Sequence, residues 1–240
     1  MDIEEIYNGF LKNGVLQYYS EDTFLKLYNY VPKQRDETFK YCLEYFNDYD
    51  KINIVELGTS RSFVDGAFRG CLKTDIKYWE PTNYKKWDWS AGIFTKYFSD
   101  ILTNRNKSYH IKTVDLSENA IEICKIMTKE HDKNISYIVD NSENVLNSCA
   151  SQSIDFLYLD TGNMDENTAQ LHLREAKIIV EKDVLKNDGL ILIDDVRNPY
   201  MLLKNITNNK FGKSKYAIPY LLENGYQIVM DEYQVILKKN

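Results

Sequence analysis

The spacing of apolar residues changes along the chain in a repeating way. Residues 52–57 form a short, β-branched-rich run that stops at Gly58-Thr59-Ser60, which predicts a buried strand entering a tight loop. Similar runs recur at 109–114, 135–139, 154–159 and 190–193. Between them, apolar residues fall three or four apart. This predicts helices over 90–102, 117–127, 144–149 and about 165–185, with Ser90 and Ser117 as N-caps. Strands alternating with helices imply crossover units, and therefore a parallel sheet covered on both faces.

The two ends of the chain depart from this alternation. Residues 1–50 read as an N-terminal helical extension or lid: Ile3, Ile6, Phe10 and Leu11 lie at helical spacing, a second segment starts near Ser20, and Pro32 interrupts it. A third piece, capped by Asp36, carries Phe39, Cys42, Leu43 and Phe46. At the other end, 214–223 reads as a helix closed by Asn224-Gly225, and 226–230 and 233–237 read as a hairpin turning at Asp231-Glu232. Residues 51–240 form the main domain. Within it, about 63–90 is an aromatic-rich insertion with Trp79, Trp87 and Trp89. The expected fold class is α/β: a doubly wound, mostly parallel, seven-stranded sheet with a C-terminal antiparallel hairpin and extra N-terminal helices.

Composition narrows the partners. A net charge of −6 argues against a general nucleic-acid or anionic-membrane binder. No signal peptide or membrane-length apolar window is present. The four cysteines stand singly, with no CxxC pair, as expected of buried thiols in a reducing cytoplasm. A homo-oligomer is compatible with the sequence.

The chemistry concentrates at strand ends. Glu56 lies one residue before the first strand stops, and the later strands end on Asp115, Asp140, Asp160 and the pair Asp194-Asp195. In a parallel sheet these ends share one edge, where ligands bind. An acid ending the second strand, here Asp115, suits the ribose hydroxyls of an adenosine cofactor. The loop after the first strand has Ser60 and Phe63 where a dinucleotide fingerprint needs glycines. A cofactor without phosphates is therefore favoured. Glu56 would hold its positive charge, and the loop N–H groups or Arg61 would meet its carboxylate.

These segments resemble class I S-adenosylmethionine-dependent methyltransferases over about residues 50 to 240. Ile-Val-Glu-Leu-Gly-Thr-Ser is similar to the family's first motif, Thr-Val-Asp-Leu-Ser to its ribose-binding strand end, and Ile-Val-Asp-Asn-Ser to its adenine-side loop. The resemblance implies a cofactor site of Glu56, Gly58, Thr59, Ser60, Asp115, Asp140 and Asn141. The chain departs from the family pattern in lacking the motif's later glycines. It also places about 57 positions between Leu57 and Val114, where a simple strand–helix–strand step takes roughly 20.

Leu-Tyr-Leu-Asp160 and Gly-Leu-Ile-Leu-Ile-Asp-Asp195 further resemble metal-dependent O-methyltransferases of the catechol and macrolide-sugar kind. By that likeness Asp160, Asp194 and Asp195 would bind Mg²⁺ or Mn²⁺, with Ca²⁺ also possible for oxygen ligands. Three converging carboxylates would otherwise repel one another. The ion would lower the pKa of an acceptor hydroxyl on a small molecule or sugar. Asp160 and His172 are the catalytic candidates. His172 shares a face with Ala169, Ala176 and Ile179, which favours packing, and it lies about 10 Å from the strand-end edge. Arg197, just past the acidic pair, reads as a surface salt-bridge residue, with binding of an anionic substrate group as the alternative. The alternatives are a metal-independent methyltransferase acting on nitrogen or another acceptor, a nucleotide-binding oxidoreductase, and a non-catalytic module on the same scaffold.

Overall fold

The computed structural model describes residues 35–59, 94–163, 165–197 and 211–239. Within them lie α1 (Arg35–Tyr45), β1 (Lys51–Leu57), α2 (Phe94–Asn104), β2 (Ser108–Asp115), α3 (Glu118–Met127), β3 (Ile135–Val139) and α4 (Ser142–Ser148). They are followed by β4 (Ile154–Leu159), α5 (Glu166–Glu181), β5 (Leu185–Ile193), α6 (Ala217–Glu223), β6 (Tyr226–Asp231) and β7 (Val235–Lys239). The expected helices before residue 35, the insertion at 63–90, Ser60, Arg61 and the Ser90 cap lie outside the described residues.

The seven strands form one sheet in the order β3-β2-β1-β4-β5-β7-β6. All neighbouring pairs from β3 to β5 are parallel, and β7 runs antiparallel between β5 and β6. This is the doubly wound, seven-stranded arrangement with a terminal hairpin expected from the sequence. The order reverses between β1 and β4, the crevice where such sheets bind ligands.

Side-chain alternation divides the core into two layers. Val55, Leu57, Leu157, Leu159, Ile191 and Ile193 face one way and meet Ala176 and Ile179 of α5 and Leu221 of α6. Ile52, Ile54, Phe156, Tyr158, Leu190 and Leu192 face the other way and meet α1 and α2. Aromatic rings dominate the second layer. Phe94 stacks on Phe98 (centroids 4.2 Å apart) and on Tyr158 (4.5 Å), and Phe39 of α1 meets Phe94 edge-on at 5.7 Å. Such pairs add about 0.5–1.5 kcal/mol each beyond area burial, so α1 is part of the folded core.

Several boundaries differ from expectation for local reasons. The helix begins at Arg35, so Asp36 falls inside it instead of capping it. α4 begins two residues early because the Asn141 side chain accepts from the Asn144 N–H at 2.7 Å. α5 stops at Glu181, and Asn187-Asp188-Gly189 lies within β5, where pairing with β4 jumps from Leu185 to Leu190. The hairpin turn is Glu232-Tyr233-Gln234, closed by a Glu232 N–H to Gln234 carbonyl bond of 3.1 Å, and Asp231 belongs to β6. Ser117 caps α3 as expected, accepting from the Ala120 N–H. The described cysteines, Cys42, Cys124 and Cys149, are free and buried. Among the described residues no helix is long and apolar enough to cross a membrane.

Candidate active site

Backbone pairing continues one residue past several strands and sets the acids in a row. The Asp160 N–H donates to Leu57 carbonyl (2.8 Å), Asp194 N–H to Leu159 (3.0 Å) and Asp140 N–H to Asp115 (3.2 Å). Each carboxylate therefore stands where the sheet ends and a loop begins. Gly58 makes the sharpest of these exits. It adopts φ +98°, and a Cβ there would lie 2.3 Å from the Asp160 carbonyl oxygen, so only glycine fits between the β1 and β4 loops.

Beside this close approach opens a cavity of about 450 Å³, within the usual range for a small-molecule site. Gly58, Thr59, Asp115, Asp140, Asn141 and Asp160 line it. Six of the sequence-predicted residues thus meet around one space. Asp115 is fixed by backbone donors, with one oxygen accepting from Thr59 N–H (3.0 Å) and the other from Ser117 N–H (2.8 Å). Asp140 accepts from Asn141 N–H at 2.7 Å and from the Asn144 amide at 2.9 Å. At the mouth, Arg174 pairs with Glu143 at 2.9 Å, and Leu116 is 75% exposed.

Glu56 lies outside the cavity lining, on the sheet face toward α2. It is fully buried, and one oxygen accepts from Thr113 (2.6 Å), its partner in strand register, and from Thr95 of α2. Its Oε1 has no hydrogen-bond partner. Burial, outweighing the two threonine bonds, pushes its pKa up to about 8. The Thr113 hydroxyl also meets that of Thr59 at 2.8 Å, so a chain of hydroxyls connects Glu56 to the cavity wall.

The remaining acids come together as the spacing implied. Asp160, Asp194 and Asp195 each offer an oxygen within 4.8 Å of the others. Two cations from distant segments hold them. Arg35 binds both oxygens of Asp194, through Nε (3.0 Å) and Nη2 (2.6 Å), and reaches Asp195 at 3.5 Å. Lys213 bridges Asp160 at 2.9 Å and Asp195 at 3.3 Å. The Gln234 amide donates to Asp194 at 2.9 Å, and the Tyr233 hydroxyl donates to Asp195. Burial works against both cations, but the surrounding acids outweigh it and raise their pKa values, so both stay charged. Burial, followed by the charge of Asp194, lifts Asp160 to about 7 despite Lys213. Arg35 and Lys213 already engage both oxygens of Asp194, both of Asp195 and one of Asp160, so an added divalent ion would have to compete with these two cations.

His172 is fully buried on α5. Its Nε2 is 3.2 Å from the Thr161 carbonyl, which can only accept, so Nε2 carries the proton and Nδ1 accepts from the Ser214 hydroxyl at 2.7 Å. Burial, followed by the charge of Lys213, lowers its pKa to about 3. Both ring nitrogens are therefore engaged within the fold. Arg197 pairs with Asp231 at 2.5 Å, but it is buried, not on the surface.

Sequence reasoning missed Arg35, Lys213, Thr95, Thr113 and Glu175. Arg35 lies 159 positions from Asp194, and Lys213 lies 53 from Asp160 and 18 from Asp195, and no local pattern marks them. Glu175, fully buried on α5, accepts from Thr161 at 3.0 Å, and burial lifts its pKa to about 7. A lone acid on the apolar face of a predicted helix was its only signal.

No family model and no curated protein matches the chain. Solved structures do. The S-adenosylhomocysteine-bound methyltransferase PaMTH1 from Podospora anserina is similar at 12% identity and TM-score 0.49, covering 99% of this chain and 94% of that one. The N-methyltransferase NodS from Bradyrhizobium japonicum is similar at 12% identity and TM-score 0.47, covering 85% and 93%. Monomeric WbdD is similar at 13% identity and TM-score 0.46, and the chain spans only 40% of that protein's length.

Proposed function

We propose that this protein is an S-adenosylmethionine-dependent methyltransferase that acts on a hydroxyl group of a small molecule or sugar. The observation that carries the reading is the strand-end cavity. It joins the Gly58-Thr59 loop, the backbone-fixed Asp115 and the Asp140-Asn141 loop in one space. That set matches a cofactor with a ribose and an amino-acid arm, and the loop lacks the glycines a pyrophosphate needs. A nucleotide-dependent oxidoreductase is disfavoured on the same ground and by the antiparallel β7. The net charge of −6 favours a small acceptor over a nucleic acid.

Bound there, S-adenosylmethionine supplies an electrophilic methyl group on a sulfonium. Asp115 would accept hydrogen bonds from the ribose hydroxyls. Glu56, buried with an unpartnered oxygen, would favour positive charge nearby. Asp160 both lines the cavity and titrates near neutrality, which suits a general base. Its carboxylate would take the acceptor hydroxyl's proton as the oxygen bonds to the methyl carbon and the carbon–sulfur bond breaks. The products are a methyl ether, S-adenosylhomocysteine and protonated Asp160. No step passes through a metal.

Incubation with S-adenosylmethionine and a panel of hydroxylated and amino acceptors, reading S-adenosylhomocysteine formation, tests this. Turnover on hydroxyls is expected, with Asp160→Asn lowering kcat by about 10²–10⁴. Turnover on amines alone would favour the nitrogen-acceptor reading. None on any acceptor would leave only a binding module.

A further inference from the structure

We propose that the ammonium of Lys213 is the resident cation of the strand-end acid cluster, standing in the place a divalent ion would take, and that it keeps such ions out. The cluster has the spacing of an oxygen-ligand cation site. Its oxygens are nevertheless engaged by side chains that are themselves buried. Lys213 and Arg35 are each 1% exposed. Lys213 spans Asp160 and Asp195, the two acids of the cluster that keep partial exposure, and Arg35 holds Asp194 in a two-point fork. Three carboxylates face two cations, leaving a formal charge of −1. A divalent ion would turn that into +1 and would compete with Lys213 for the same oxygens.

The placement of Lys213 is built by the residues around it. Gly212 has φ +52°, and a Cβ there would meet the Val196 carbonyl oxygen at 2.4 Å, so the turn lies directly on the backbone leaving β5. Asp195 itself sits at φ +54°, the left-handed region, with Lys213 3.3 Å from its carboxylate. On the other side of Lys213, Ser214 bonds to His172, which in turn bonds to the Thr161 carbonyl. The lysine stem is thus pinned from both neighbours. This gives the buried histidine a purpose: it holds the turn that delivers the ammonium. Lys213 is a positioning residue, fixing Oδ1 of Asp160, while among the described residues Oδ2 has only the Tyr158 hydroxyl, 3.5 Å away.

Manganese(II) titrated into the intact protein, with free ion followed by its EPR signal, tests this without any methyl donor or acceptor. A failure here is therefore distinct from a failure of the methyl-transfer reading. The wild type is expected to leave the free-ion signal undiminished. Lys213→Ala, and Lys213→Met as a bulkier neutral variant, should bind one ion per chain at least about 100-fold more tightly, as follows from removing a like charge a few Å away. Lys213→Arg should stay silent. Circular dichroism identifies the variants that are folded. Tight stoichiometric binding by the wild type that is lost in Asp160→Asn would overturn the proposal. So would a folded Lys213→Met variant that binds no better than the wild type.

Discussion

The two halves of the strand-end edge hold their acids by opposite means. At β2 and β3, Asp115 and Asp140 accept from backbone N–H groups, Asp115 from Thr59 of the β1 loop and from Ser117, Asp140 from Asn141, and both line the cavity. At β4 and β5, Asp160, Asp194 and Asp195 are held by Arg35 and Lys213, brought from far away in the chain and almost wholly buried. The first half relies on uncharged backbone donors and opens to the cavity. The second relies on buried charged side chains, with Asp160 its one acid that lines the cavity, so its ion pairs are in place before any ligand arrives. Proton transfer from an acceptor benefits from such preorganisation.

The sharpest break of this contrast is in stability. Asp194→Ala strands Arg35 in the interior and should cost about 3–5 kcal/mol, whereas Asp140→Ala should cost about 1 kcal/mol or less. Urea unfolding of the two variants measures both. Equal losses would erase the distinction between the halves.

A pH effect follows next. Glu56 has a folded-state pKa of about 8, above its unfolded value of 4.5, so the native state binds more protons than the unfolded state between them. By linkage, its contribution is favourable below about pH 4.5 and is lost as pH rises toward 8, by a few kcal/mol at most. Asp160 and Glu175, each lifted to about 7, act in the same direction. Ligand-free stability should therefore fall over that window, and Glu56→Gln should flatten the profile in chemical denaturation. An unchanged profile would show that Glu56 is not the titrating group.

Smaller still, Asp115→Ala should weaken S-adenosylhomocysteine binding by about 1–3 kcal/mol through lost ribose hydrogen bonds. Unchanged affinity would remove Asp115 from the cofactor site. Arg174→Ala, at the exposed mouth, should change stability by less than about 1 kcal/mol.

The same contrast explains what could be read in the sequence. The period-two and period-3.6 patterns reveal the strands and most helices, because each depends on neighbours in the chain. The acids at the strand ends were legible for the same reason: a parallel sheet places them all on one edge. Asn141 shows the limit of that reading. It was expected to line a cofactor site; it lines the strand-end cavity, and its capping of α4 moves the helix start. Arg35 and Lys213 were not legible at all, because nothing in Arg35-Asp-Glu-Thr or Gly212-Lys-Ser announces a partner more than fifty positions away. Without them the three carboxylates looked uncompensated, and a metal was the natural remedy. Burial and pairing decide whether a cluster of acids needs an ion, and both arise only in the folded chain.

Isothermal titration of S-adenosylhomocysteine into the protein tests the central claim most directly. The cavity formed by Gly58, Thr59, Asp115, Asp140, Asn141 and Asp160 predicts saturable binding at one site per chain, in chelator as well as in buffer. Absence of binding would contradict the assignment of that cavity to a methyl-donor cofactor.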